Sequence, residues 1–322
     1  MRAACLLPQQ ERQQRGGGSS QHSQQQRQQQ LLQRPTVPAR MEHISDELAF
    51  AAISFGYAGW TLWLDLRVFY GWQAGGYVGK FTHWGLALDL VFLAVNLLCA
   101  ALAAPPASLP AARRALLLWA ATTTLHVDLS FLLFVLPLRL AGKEKADAGI
   151  LNPVSAHKHI INAAWIFGAA ALQDEAPDTS SLAFGTTAPV MLSLVYLIFA
   201  LLVADPVRAP AVLRALGIAP PEQPLNTALP KHELGNITVL PGEWIYNSFR
   251  RPSARLVFLL VPALLSPLAA WALAQAHAAM HGQPARRAAL LLFVALLSPA
   301  VYGLPRALAP GAARGGQQAK AR

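Results

Sequence analysis

Apolar residues run through this chain in blocks of roughly bilayer length, at 48–64, 84–104, 115–138, 160–172 with an upstream extension, 182–204, 254–276 and 288–304. Crossing the hydrocarbon takes about 20 mainly apolar residues, so each block is a candidate span, the fourth being the shortest. None shows the alternation of apolar and polar residues that marks the strands of a membrane barrel. Inside hydrocarbon every backbone N–H and C=O must be satisfied within its own segment, and the blocks are therefore read as helices. The predicted fold is all-α, a polytopic integral membrane protein of six or seven transmembrane helices occupying residues 41–309.

The breaks between blocks have their own chemistry. Asp65 and Arg67 end the first, and Tyr70, Trp72 and Tyr77 follow in a glycine-rich loop, an aromatic content suited to head-group depth. Pro105, Pro106 and Pro110 stop the second before the Arg113-Arg114 pair. The loop at 205–253 carries eight prolines and reads as an ordered or partly ordered surface loop rather than a domain. Residues 9–33 hold twelve glutamines, a composition that buries too little apolar surface to order itself, so 1–40 is predicted to be a disordered Gln/Arg-rich tail. Residues 310–322 form a short basic tail. Met41-Glu42-His43-Ile44 reads as a natural start, and both initiation at Met41 and a transit role for the tail stay open.

Composition narrows the class further, with 54% hydrophobic and 13% charged residues. The net charge of +10 lies in tails and loops without an aromatic-interleaved patch, which argues against nucleic acid and for membrane lipids as partners. Cys5 sits in the polar tail and Cys99 inside the second block, with no zinc-like spacing, so neither a disulfide, a metal nor any other cofactor is predicted. A cytoplasmic N-terminus would put 10 basic residues inside and 16 outside, the reverse of the usual bias, and sidedness stays open.

Candidate chemistry lies at the mouths of the blocks. Lys80-Phe81-Thr82-His83-Trp84 opens the second, Ala156-His157-Lys158-His159 opens the fourth, and Gly242-Glu243-Trp244-Ile245-Tyr246-Asn247 closes the long loop. Pairs of blocks separate these strings, so they are expected on one face of the membrane. A threonine hydroxyl attacks esters only when a base takes its proton, and imidazole has the right basicity near neutral pH. Thr82 as nucleophile with His159 or His157 as base is the sharp reading, and Asn162 is a guess for the oxyanion donor. Thr82 is equally read as a helix N-cap, His83 as an interfacial polar residue, His157 and His159 as head-group contacts beside Lys158, and Trp244 and Tyr246 as interfacial anchors. Asp89 and Asn96 share a face of the second block and must point inward, where Asp89 could orient a histidine or water. Thr122, Thr123, Thr124, His126 and Asp128 form another polar cluster, read as glue between spans or as a proton or ligand site.

The Lys80-Phe81-Thr82 string, with Trp84 and Asp89-Leu90-Val91-Phe92 behind it, resembles the threonine region of the androgen-induced transmembrane hydrolases, which cleave esters of fatty acids with hydroxy fatty acids. The spacing of Gly242, Trp244 and Tyr246 resembles a second string of that family, and residues 157–162 stand in the place of its histidine motif. The resemblance runs over residues 44–275 and differs at three points: Phe81 abuts Thr82, the histidines are two apart instead of three, and Asn247 replaces a proline. It implies a multi-span hydrolase of lipid esters in the endomembrane system (endoplasmic reticulum or plasma membrane), with Thr82 as nucleophile and no cofactor. The alternative is a non-catalytic multi-span protein, either a transporter or a lipid-binding scaffold.

Overall fold

The computed structural model describes residues 37–66, 79–135, 156–177, 182–215 and 246–308. The Gln/Arg-rich tail to residue 36, the loop at 71–77, residues 242–245 of the third string and the basic C-terminal tail lie outside them. Ser45–Arg322 forms one compact unit, which holds the helical bundle, and Met1–Ile44 forms another.

Among the described residues there are α-helices and no strands: α1 (Val37–Leu64), α2 (Phe81–Ala101), α3 (Ser108–Ser130), α4 (Asn162–Leu172), α5 (Leu182–Ala204), the short α6 (Ala209–Ala215), α7 (Pro252–Met280) and α8 (Pro284–Leu308). Among the described residues each of the seven apolar blocks overlaps a helix. Four helical segments are long and apolar enough to cross a membrane, Phe81–Ala101, Ser108–Leu133, Phe184–Ala204 and Pro252–Met280. The chain thus has the make-up of an all-helical membrane protein. With only 11 residues, α4 is short for a span, although the π-helical turn His157–Ile161 extends it upstream.

Helix ends follow local chemistry. Lys80 and Leu102 flank α2 in extended conformation, and Pro252 stands in the first turn of α7, where its missing N–H costs nothing. Pro189 inside α5, and Pro262 and Pro267 inside α7, are tolerated in long apolar helices whose neighbours can re-satisfy the freed carbonyls.

At the centre lies α3, packed against α2, α4, α5 and α7. Its polar residues Thr122, Thr123, Thr124, His126 and Asp128 are all buried, whereas Val91, Leu98, Met191, Ile198, Leu264 and Trp271 on surrounding helices are exposed. Polar inside and apolar outside is the arrangement expected where lipid is the solvent. Two apolar clusters fill the bundle. One gathers Phe50, Phe92, Leu117, Trp165, Ile166, Leu273 and Val294, the other Phe81, Val127, Tyr196, Phe199, Leu213 and Phe249.

The two ends differ. At one, charges knit helix starts and stops together: Arg113 pairs with Glu47, Arg287 approaches Asp46 at 3.6 Å, and Arg287 donates to the Leu172 carbonyl at 2.9 Å. The opposite end collects the end of α1, the starts of α2 and α4 and the segment leading into α7. Asp65–Leu66, Phe131–Val135 and His157–Ile161 there all have π-helical geometry. Such turns widen a helix locally and are frequent at functional sites.

Candidate functional site

The three strings meet at this second end. Because α2 begins at Phe81, Thr82 is its second residue and Lys80 holds the capping position, without a side-chain bond to the helix. Thr82 is therefore not the N-cap that its place before an apolar block suggested. The cap comes from far along the chain: the Phe81 N–H donates to the Tyr246 hydroxyl at 3.2 Å. The same phenol interacts with the hydroxyl and backbone N–H of Thr82. Tyr196 donates to the Gly79 carbonyl at 2.7 Å and interacts with Tyr246. Phe249 packs edge-on against Tyr246 at 5.4 Å, and the Lys80 ammonium lies 5.5 Å from its ring centre. Burial pushes the Tyr246 phenol above its ordinary value, against the hydrogen bonds from Phe81 and Thr82, and keeps it a proton donor at neutral pH.

His83, the next residue, is 2% exposed and faces a buried carboxylate rather than head groups. Its Nε2 is 3.2 Å from Asp65 at the end of α1, and Lys158 donates to both Asp65 oxygens at 3.0 Å. Lys158 Nζ is also 3.2 Å from His83 Nε2. Since Lys158 directs N–H groups to the carboxylate, the consistent arrangement has His83 donating its own Nε2–H to Asp65. Burial would raise the Asp65 carboxyl, but Lys158 and His83 together hold it below the usual carboxylate range.

The flanking histidines have different surroundings. His157 is fully buried, its ring 6.2 Å from Trp165, and neither ring nitrogen has a hydrogen-bond partner among the described residues. No bond therefore joins it to Thr82. Half-buried, His159 stacks face to face on Phe131 with centroids 4.0 Å apart. The threonine and histidine strings are thus brought together through Lys158 and His83, while Thr82 itself touches Tyr246.

One layer deeper, Asp89 accepts hydrogen bonds from Thr124 at 2.9 and 3.1 Å and from the Asn162 amide at 3.2 Å. Asn162 also adjoins Asp128. Asn162 is therefore tied to buried carboxylates rather than aimed at Thr82, and Thr124 bonds across helices to Asp89, not along its own helix to Asp128. Among the described residues no group of three or more His, Cys, Asp or Glu side chains could hold a metal ion.

Sequence reasoning missed Asp65 and Tyr196 and took Tyr246 for an interfacial anchor. Asp65 had one signal, an acid closing an apolar block; Tyr196 had none, since it lies in the middle of one. Set against known proteins, the chain matches no family model, no curated protein and no solved structure.

Proposed function

We propose that this chain is a membrane-embedded hydrolase of lipid esters, of the fatty acid ester of hydroxy fatty acid kind, with six or seven spans and residence in the endomembrane system. The observation that carries the reading is the meeting, at one end of the bundle, of a threonine hydroxyl at the start of a membrane-length helix with a histidine string, bridged by the contact of Lys158 with His83. The resemblance to the androgen-induced hydrolases supports it from the same residues. Thr82 Oγ attacks the ester carbonyl while an imidazole, His157 or His159, takes its proton. Collapse of the tetrahedral species breaks the bond to the alcohol oxygen, which receives that proton. Water, deprotonated by the same imidazole, then releases the fatty acid and restores Thr82.

A covalent serine/threonine-hydrolase probe should label the full-length protein in membranes, and Thr82→Ala should abolish labelling and ester turnover together. Labelling that survives Thr82→Ala overturns the nucleophile assignment.

A second reading, a non-catalytic carrier or lipid-binding scaffold, is favoured by one observation: the hydrogen-bonded Asp89, Thr124 and Asn162 lie inside the bundle, where polar groups are costly. Such a protein resists the probe and responds more strongly to Asp128→Asn than to Thr82→Ala.

A further inference from the structure

Ester cleavage through Thr82 requires a hydrogen-bond donor where the carbonyl oxygen becomes negative, and Asn162, bound to Asp89, does not supply one. A phenol interacts with the candidate nucleophile. Tyr246 reaches the start of α2 from 165 residues away, accepts the Phe81 N–H at 3.2 Å, and interacts with both the hydroxyl and the backbone N–H of Thr82. The Phe81 N–H and the hydroxyl and backbone N–H of Thr82 therefore converge on the Tyr246 hydroxyl oxygen. The phenol is itself fixed from behind, by its interaction with Tyr196, whose own hydroxyl is committed to the Gly79 carbonyl.

We propose that Tyr246 is a catalytic residue of the hydrolase, the donor that, with the Phe81 N–H, stabilises the oxyanion formed on attack by Thr82. The inference rests on the hydrolase reading. As Thr82 Oγ bonds to the carbonyl carbon, the carbonyl π electrons move to oxygen. That oxygen enters the place between Phe81 N–H and Tyr246 O–H, so the backbone donor exchanges the phenol oxygen for the substrate oxygen and the phenol turns its proton to the same atom. No proton leaves Tyr246 in the step; the Thr82 proton goes to the imidazole. When the alcohol departs the electrons return to the carbonyl and Tyr246 recovers its contact with Phe81. The Lys80 ammonium near the Tyr246 ring adds positive potential at the same place.

The test is steady-state hydrolysis of a p-nitrophenyl fatty-acyl ester by the full-length protein in detergent micelles, comparing wild type with Tyr246→Phe and Tyr196→Phe. Tyr246→Phe keeps the ring and its packing, and kcat should fall about 100-fold or more with KM changed less than about threefold, the loss typical of a single oxyanion donor. Tyr196→Phe, which removes the support behind the phenol but leaves Tyr246 in place, should lower kcat by no more than about tenfold on the same scale. An active wild type whose kcat survives Tyr246→Phe overturns the Tyr246 role and leaves the hydrolase reading standing. Equal losses in both variants overturn it as well, because they would mark a purely structural phenol pair. A wild type without ester turnover overturns the hydrolase reading itself.

Discussion

With 1% of its side chain exposed, Asp65 would be an expensive lone carboxylate, and its cost is offset only by charge and hydrogen bonds from Lys158 and His83. Asp65→Asn strands the Lys158 ammonium and should cost about 3 kcal/mol, read as a lowered unfolding midpoint in detergent; an unchanged midpoint would show the pair to be idle. Because the folded carboxyl lies below its unfolded value, its contribution is complete at neutral pH and disappears as pH falls below about 4. The wild-type protein should therefore lose stability in that acid range more steeply than Asp65→Asn. Nothing in the sequence separates Asp65 from an ordinary polar helix end, because its partner Lys158 lies 93 residues away. Polar residue types were legible as candidates, but their pairings were not: Thr124 could be matched by spacing to Asp128, yet it bonds to Asp89 on another helix.

Helices themselves were legible because apolar composition is local. The block at 254–276 lies within α7, and the one at 84–104 overlaps nearly all of α2. Helix starts were read less well, since Thr82 looked like a cap while a tyrosine near the end of the long loop performs that duty. π-helical turns leave no mark in an apolar pattern, so the widening at His157–Ile161 could not be anticipated. Close helix approach was equally hidden. A Cβ at Gly168 on α4 would collide with the Phe50 ring of α1, and one at Gly185 on α5 would collide with Leu118 of α3. Overpacking of this kind costs about 1–3 kcal/mol. Gly168→Leu and Gly185→Leu should each lower the melting temperature in detergent, whereas Gly56→Leu, where a Cβ meets nothing within 4 Å, should not.

Across the whole molecule, the two ends of the bundle should face opposite sides of the membrane. Single cysteines introduced at Lys80 and Arg251, in a chain lacking Cys5 and Cys99, should react with an impermeant maleimide from one side, and those at Arg114 and Gln283 from the other. Reaction of all four from one side would contradict the spanning topology. The central position of α3 has a consequence for how the chain is made. Of the four span-length helices α3 is the least apolar; α2 supplies Asp89 to Thr124, and the packing of α5 and α7 completes its enclosure, with Phe258 of α7 against His126. During synthesis it reaches the membrane before either of them exists. It must then wait beside the insertion machinery, or in contact with a chaperone, rather than diffuse into lipid alone. Chains truncated after residue 177 should accordingly be degraded or remain extractable, and a co-expressed fragment beginning at residue 178 should rescue them.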